Sequence, residues 1–569
     1  MTDESTVDTA TQTETNAAVA RATGVVALGN IASRILGMAR EIALTNLFGA
    51  SRATDAFYVA VIVPKTLYDL LIAGHVNSAI IPVLSEVAER EGKAALWRVV
   101  SILMSLISAV VSGLVVLLYV FAPTAIALVS GGADASKQAL AVDLLRLTAP
   151  ALIFLGLFSA FSGALYALRS FTLPAFAGAV FNGGIVIATI LLAPPLSVTV
   201  QIAGGQAAWT AARPEDGIQA AALGWLIGAL AQLLCQLPGL RGAKFQLSFN
   251  WRHPAVKRIA KLYAPVMISL ILDGFVRAFS YNLASQTGER SITYMNLATT
   301  LIQFPQGLVA TAISIAILPT LSRQALNGIA DFRDTLGMGL RLAITLIMPA
   351  AVGLFALATP IAMLIFEHGA FTPADTWMTA LALRLYLFGL PFAAVDLLLV
   401  YAFYARQDTI TPALIGLVSL GVYMGVALLL APAYGVFSLM LADSAKHVVH
   451  AVISGVLLRR RIGGMNEQRL LGSLLRTGVA AAVMGGVAWA AAAWLTEAIG
   501  TRTLAHEIAV VALAGGVGGA AYLALAWLLR VEELRWVIGM VRRKNTSPPA
   551  PSPNGEGKTS AASGGEVRS

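Results

Sequence analysis

The sequence predicts an all-α polytopic membrane protein of about fourteen transmembrane helices. They are arranged as two pseudo-symmetric six-helix lobes followed by two C-terminal helices. Three observations predict this. The 569 residues are 57% hydrophobic and only 12% charged, with a mean hydropathy of +0.76, whereas a soluble domain carries roughly 25% charged residues. Apolar runs of about 20 residues, the length that crosses a hydrocarbon core, recur along the whole chain. Basic residues collect in alternate connections between those runs.

The runs place helices at 24–46, 55–82, 98–122, 141–167, 173–193, 218–240, 258–284, 291–320, 340–364, 377–405, 411–430, 435–457, 474–495 and 506–530. Residues 1–22 are rich in Thr, Ala and acids and lack the basic start and short apolar core of a cleaved signal, so they read as a disordered cytoplasmic leader. A first lobe then covers 23–240, a basic loop 241–257, a second lobe 258–458, and a further basic loop with the last two helices 459–530. Residues 531–569 read as a cytoplasmic tail, and their Pro/Ser/Gly-rich end from about Asn545 as disordered.

Charge sets the orientation. With the N-terminus inside, the even-numbered connections hold or border Arg241, Lys244, Arg252, Lys257, Arg258 and Lys261, and later Arg459, Arg460, Arg461, Arg469 and Arg476. The odd-numbered connections hold only Arg52, Lys137, Arg213, Arg290 and Arg502. Cytoplasmic loops carry the excess of Lys and Arg, so both termini are expected in the cytoplasm. This placement also accounts for the net charge of +9 without nucleic acid.

An internal echo supports two lobes. IIPVLS (80–85) returns as ILPTLS (317–322), and ALYALRSFTLPA (164–175) returns as AFYARQDTITPA (402–413). Pro82 and Pro319 are 237 residues apart, and Pro174 and Pro412 are 238 apart. An even number of helices separates the copies, so the repeats run parallel, an arrangement that places a binding site between lobes.

The remaining information lies in charges within the apolar runs. Such a side chain costs about 2.5–3.5 kcal/mol near the bilayer centre on insertion scales, so it snorkels, pairs internally or faces an aqueous cavity. The first helix carries Arg34, Arg40 and Glu41, with Glu41 placed to offset Arg40. Asp55 opens the second helix, where a carboxylate suits the dipole either as a simple cap or as a functional group. Lys65 and Asp69 lie at i,i+4 and are expected to pair, as are Asp273 and Arg277 in the seventh helix. Pro64 and Gly74 bracket the former pair and suggest a bend; His75 follows. Arg384 and Asp396 sit in the tenth helix, and Asp443, Lys446, His447 and His450 in the twelfth. The grouping in helices one, two and seven points to a cationic cavity suited to an anionic headgroup.

Several chemistries are excluded. No GxxxxGK[ST] loop is present, so ATP hydrolysis is not expected. The single cysteine, Cys235, supports neither a disulfide framework nor a thiolate metal cluster, and His447 and His450 lack further ligands nearby. No extramembrane segment is large enough for a soluble active site.

The segment SRILGMAREIALTNLFGASRATDAFYVA (33–60) resembles the start of the MurJ (MviN) family. LYALRSFTLPAFAGAVFN (165–182), FPQGLVATAISIAILPTLSR (304–323), FEHGAFTPADT (366–376) and FYARQDTITP (403–412) extend the resemblance from residue 24 to about 530. These are lipid II flippases of the multidrug/oligosaccharidyl-lipid/polysaccharide exporter superfamily. The resemblance implies a transporter rather than an enzyme. It would move the lipid-linked peptidoglycan precursor to the outer leaflet of a bacterial inner membrane by alternating access. The implied cargo is an undecaprenyl-pyrophosphate-linked sugar. No cofactor or metal is expected; a Na+ or H+ gradient or the membrane potential would reset the cycle. The chain is expected to be a monomer working beside cell-wall synthesis proteins.

Arg34, Arg40 and Asp55 match family positions, the last in the ATDAF motif. Lys65 and Arg277 complete the headgroup candidates, with Glu41, Asp69, Asp273, Arg384 and Asp396 as pairing or coupling candidates. Three positions depart: Tyr68 and Thr300 stand where the family places arginines, and Ala73 where it places an acid. Lys65, one turn before Tyr68, is the candidate replacement cation. The alternatives are an exporter of another polyprenyl-linked glycan or small molecule, or a non-transporting scaffold that recruits partners through its tail.

Overall fold

Each apolar run becomes a rod, because a chain in hydrocarbon must satisfy its backbone polar groups within itself. The computed structural model describes residues 4–70, 79–194, 197–203, 206–212, 215–465 and 468–534, leaving aside the side chains of 4–20, 22, 197–203, 206–212, 215–216, 265–266, 268–269 and 327. The first lobe runs through α1 (Glu4–Phe48), α2 (Arg52–Tyr68), α3 (Ile81–Arg90), α4 (Gly92–Val120), α5 (Ala122–Ser130), α6 (Ala135–Thr148), α7 (Ala151–Ala167), α8 (Thr172–Leu192) and α9 (Gln219–Leu234). The second comprises α10 (Pro254–Gln286), α11 (Ser291–Pro305), α12 (Ala312–Asn327), α13 (Ile329–Ala356), α14 (Ala358–Phe366), α15 (Pro373–Leu387), α16 (Leu390–Ala405), α17 (Ile410–Tyr434) and α18 (Phe437–Ile462). The last two rods are α19 (Leu470–Ile499) and α20 (Leu504–Leu528).

Several expectations are revised. The first helix starts at Glu4 rather than near 24, so the leader read as disordered has helical backbone: its Ala-rich stretch continues the helix outward. A short antiparallel hairpin, β1 (Ser197–Ala203) and β2 (Gln206–Ala212), interrupts the otherwise helical chain between α8 and α9. Gly74, His75 and Ala73 lie outside the described residues, as does the tail beyond 534. Among the described residues, nine helices are long and apolar enough to cross a membrane, and two bent pairs raise this to eleven. Length and apolarity therefore certify fewer spans than the fourteen expected. The rods that fall outside this test, α1, α2 with α3, and α10, carry Arg34, Arg40, Glu41, Lys65, Asp69, Asp273 and Arg277.

The internal echo is present in backbone detail. Arg169 and Gln407, 238 residues apart, both take left-handed φ, 59° and 58°. Ser170 N donates to Leu165 O as Asp408 N donates to Phe403 O. The pairs α6–α7 and α15–α16 bend by 41° and 42°. Phe121 and Leu357 break their rods at matching torsions, φ −96°, ψ 19° and φ −98°, ψ 13°, and each break is followed by a nine-residue helix, α5 and α14. The two segments that echo each other in sequence thus adopt one set of kinks, as two copies of one ancestral lobe would.

Alternating directions gather the turns at 49–51, 131–134, 287–290 and 367–372 at one end, here the distal end. The other end, called proximal, holds the basic segments 241–253 and 459–461. At the proximal end, Arg258 pairs with Glu86 at 2.6 Å, and Arg461 pairs with Asp408 to pin the α16–α17 turn to α18. The largest buried cluster spans both lobes, from Phe57 of α2 through Ile185 and Trp225 to Leu297, Phe366 and Leu439. One rod crosses over: α10 opens the second lobe in sequence, yet it packs on α5, α3 and α4 as well as α11.

Small residues let rods approach closely, the device that replaces the hydrophobic effect inside lipid. On α9, a Cβ at Gly228 would lie 2.6 Å from Phe181 O, and one at Gly184 of α8 would lie 2.9 Å from Gly228 Cα. The variant Gly228→Leu should therefore separate α8 from α9 and cost about 1–3 kcal/mol or more by overpacking. A lower thermal unfolding midpoint in detergent, beside an unchanged midpoint for Gly486→Leu at an open position on α19, is the expected result.

Candidate functional site

Between the lobes lies a cavity of about 390 Å³, lined from α1, α2, α9, α10, α11, α15, α17 and α18. Pockets for small ligands span about 300–1,000 Å³. Its cations are Arg40, Lys65 and Arg277; its anions are Glu41 and Asp443; Tyr58, Tyr281, Asn296, Thr299 and Thr300 add hydroxyls and amides.

Arg40 is held from three sides. It donates through Nη2 to Glu41 Oε1 at 2.5 Å and through Nη1 to Asn182 Oδ1 at 3.0 Å, and it stacks 6.0 Å from the Trp225 ring. The other Glu41 oxygen accepts from the Tyr58 hydroxyl. This fixes the guanidinium and leaves its remaining capacity directed into the cavity.

The expected pairs within single helices did not form. Asp69 pairs instead with Arg277 of α10 at 2.7 Å. The interhelical pair joins two rods, which an i,i+4 pair cannot do. Lys65 is consequently left exposed in the cavity, and among the described residues it has neither an ion-pair nor a hydrogen-bond partner. Asp273 is also exposed and does not pair with Arg277.

Asp55 and Arg34 are absent from the cavity lining and bridge the lobes at its two sides. Ser51, not Asp55, caps α2 by accepting from Thr54 N. Asp55 is fully buried, and its Oδ2 accepts from Lys137 Nζ at 2.7 Å. Its Oδ1 accepts from Thr293 N at 2.8 Å and Thr293 Oγ1 at 2.6 Å. Thr293 is 238 residues from Asp55, which is the repeat offset, so the contact joins equivalent points of the two lobes. Two helix N-termini, of α2 and α11, converge on one carboxylate. The equivalent of Lys137 in the second lobe is Asp375, which accepts from Tyr294 at 2.7 Å and pairs with Arg290 at 3.3 Å. The charge order is thus reversed between lobes. Beside this latch, Ala370 N donates to Asn46 O at 2.9 Å. Gly49 and Gly369 permit that approach: both have positive φ, and a Cβ would lie 2.5 Å from Ala370 O and 2.2 Å from Asn46 O respectively. Outside the rods, Asp134 caps α6, and the Lys137 amide and Ser136 hydroxyl hold its carboxyl below the usual range.

Arg34 lies six residues before Arg40, about 9 Å along α1 toward the proximal end. Its Nη1 donates to Gln303 O at 2.9 Å, and a Cβ at Gly307 would lie 2.3 Å from its Nη2. That carbonyl belongs to the segment Gln303–Thr311, where Pro305 lacks an amide donor and α11 passes through a π-helical stretch before α12. Among the sites that depart from family pattern, Thr300 lines the cavity with its hydroxyl turned to Asn296 O at 2.9 Å, while Tyr68 packs outside the lining.

Arg384 and Asp396 do not meet. Arg384 donates to Phe355 O and Thr359 Oγ1 at the α13–α14 break, and Asp396 pairs with His450 at 2.5 Å. The bend between α15 and α16 separates them. The residues that sequence reasoning missed are Lys137, Thr293, Tyr58, Asn182 and Trp225. Only Lys137, a lone cation in an odd-numbered connection, offered a signal.

The profile of the family described as "Lipid II flippase MurJ" matches residues 44–509. "Lipid II flippase MurJ" of Burkholderia cenocepacia is 32% identical over 391 residues, 67% of this chain and 72% of that protein. "Probable lipid II flippase MurJ" of Vibrio cholerae is 31% identical over 539 residues, 89% of this chain and 95% of that protein. Among solved structures, "Lipid II flippase MurJ, inward closed conformation" superposes with a TM-score of 0.71 at 23% identity, covering 89% of this chain and 98% of that one. An inward-facing MATE family transporter of the MOP superfamily gives 0.62 at 14% identity, covering 76% of this chain and 96% of that one. These two likenesses establish the fold.

The latch makes a measurable claim. Asp55→Ala strands Lys137 in a buried site and should cost about 3–5 kcal/mol. Lys137→Ala should cost a similar amount. The double variant should cost clearly less than the sum of the singles in thermal unfolding, because one buried charge no longer lacks its partner.

Proposed function

Because the chain belongs to the lipid II flippase MurJ family, we propose that the inter-lobe cavity holds the diphosphate-sugar headgroup of its lipid-linked cargo, with Arg40 and Lys65 as the first phosphate contacts. The chain is a transporter, not an enzyme, and a polytopic membrane protein of the MOP fold. The observation that carries the proposal is Lys65: an ammonium exposed in an inter-lobe cavity, without an ion-pair partner among the described residues, facing the same space as the anchored Arg40 guanidinium. A cation left without an internal counterion is available for a charge-assisted bond to a phosphate. It also supplies charge where Tyr68 and Thr300 withhold it.

In this reading the basic proximal loops face the cytoplasm, which the positive-inside pattern supports, and the protein sits in the bacterial inner membrane with both termini inside. The distal latch then closes the outer face. Headgroup entry occurs from the cytoplasmic side, where Arg34 on Gln303 O and the Asp69–Arg277 pair are the contacts that part. Phosphate competes for Arg277 and loosens its bond to Asp69. Rocking of the lobes breaks the Asp55–Thr293 contact and opens the cavity outward, while the undecaprenyl tail stays in lipid. The membrane potential, worth about 2.3 kcal/mol per charge per 100 mV, or a Na+ or H+ gradient returns the empty protein.

Complementation of cells depleted of their own lipid II flippase tests this. Wild type should restore growth, and Arg40→Ala and Lys65→Ala should fail at equal membrane abundance. Lys65→Arg should retain function. Rescue by Lys65→Ala at wild-type efficiency would remove Lys65 from the headgroup site. Failure of the wild type despite normal insertion would favour another polyprenyl-linked glycan, the reading that Tyr68 and Thr300 keep in play. A second outcome concerns the latch: Asp55→Asn should raise labelling of a cysteine placed at Thr299, in a Cys235→Ser background, by an impermeant thiol reagent added outside.

A further inference from the structure

A second cavity, of about 270 Å³, opens at the proximal end beside α19, away from the inter-lobe site. Four arginines, Arg341, Arg469, Arg476 and Arg530, line it against two carboxylates, Glu532 and Glu533, together with Gly472 and Ser473. Among the described residues only one of the four guanidiniums has a carboxylate partner. Arg341 lies 3.6 Å from Glu532 and 3.3 Å from Glu533. Among the described residues, Arg469, Arg476 and Arg530 have no ion-pair partner; Arg476 reaches the backbone oxygen of Arg530 at 3.4 Å. Uncompensated like charges around one small space repel, and a bound anion relieves that repulsion.

Other features mark the same cavity. It sits on the N-terminus of α19, where first-turn amides lack intrahelical partners. Ser473 lines it, is only 9% exposed, and its Oγ has no hydrogen-bond partner. A buried hydroxyl left unsatisfied is destabilising, so an acceptor belongs there. Gly472 meets nothing within 4 Å at its Cβ position, leaving room for a ligand against the backbone. Arg469 and Arg530 both hold left-handed φ, 49° and 54°, and Arg530 ends α20 where glycine is usual. The chain accepts that conformation and keeps arginine.

We propose that this cavity is a phosphate-binding site, and that its ligand is the phosphodiester headgroup of an anionic phospholipid. The guanidinium forks of Arg469 and Arg476 and the α19 amides bind the phosphate oxygens, and Ser473 Oγ–H completes the set. The surroundings select a lipid over a soluble phosphate. Leu471 and Leu475 on α19, and Trp527 and Leu528 on α20, are exposed large apolar side chains adjoining the arginines, a path for acyl chains. Basic pockets between transmembrane helices recognise lipid headgroups in this manner. The site is separate from the transport cavity and holds α19 and α20 to α13 through its ligand.

The test measures thermal unfolding of the full chain in nanodiscs of phosphatidylcholine, alone or with ~30 mol % phosphatidylglycerol, and in phosphatidylcholine with inorganic phosphate against chloride at matched ionic strength. Wild type should unfold at higher temperature with phosphatidylglycerol, and Arg469→Ala/Arg476→Ala should lose most of that increment. Ser473→Ala, a milder change, should lose part of it. The control Arg252→Ala/Lys257→Ala, with the same loss of proximal charge, should keep it. A phosphate-dependent increment that the arginine variant abolishes would retain the site and reassign its ligand to a soluble phosphate. An increment equal in wild type and the arginine variant, or an equal loss in the control, would overturn the proposal. Transport is not the readout, so failure here leaves the headgroup reading of the inter-lobe cavity untouched.

Discussion

The architecture turns on one buried carboxylate. Asp55 carries its charge at zero exposure because three donors and two helix N-termini meet it: Lys137, the Thr293 amide and the Thr293 hydroxyl. Taking a carboxylate out of water costs several kcal/mol, and a contact of this quality is what offsets it. The donors come from both lobes, so the offset exists only while the distal ends touch. Parting the lobes exposes Asp55 to water, which also solvates it. A buried ion pair adds little net stability in one state, yet this one distinguishes two states sharply. That is the property a moving seal needs. The glycines at 49 and 369 complete it by letting backbones touch without side chains between them.

The interior of the protein follows the same logic of matched and unmatched charge. Arg40 is matched by Glu41 and Asn182, so it keeps its place when the cavity is empty. Arg277 is matched by Asp69 across two rods, so its pair depends on how those rods pack. Lys65 is open to the cavity and unmatched among the described residues. Among the described residues they form a graded set: one cation held within its own lobe, one paired across two rods and one with no ion-pair partner. The lysine's ammonium is a flexible point charge, where the two arginines present rigid forks.

Much of this was legible in the sequence. The 237- and 238-residue offsets correctly implied two copies, and the structure repeats their kinks at Arg169 and Gln407 and at Phe121 and Leu357. Arg40, Glu41, Lys65 and Arg277 were identified as intramembrane charges and share one cavity. Pairing was not legible. Reading i,i+4 spacing as contact joined Lys65 to Asp69 and Asp273 to Arg277, whereas a neighbouring rod supplied Asp69 with a better partner. Lys137 looked like a loop residue, because nothing local to it announces a carboxylate 82 positions earlier.

By itself the sequence determined what depends on local composition and on repetition. Apolar length dictates helices in lipid, basic loops dictate a side, and a duplicated pattern dictates two lobes. Tertiary structure alone decided which charges meet. Opposite charges in a low-dielectric interior pair with whatever the packing brings within about 3 Å, and packing is set by rods far apart in the chain. It closed Asp55 on Thr293 and Lys137 and gave Asp69 to Arg277, which leaves Lys65 without an ion-pair partner among the described residues.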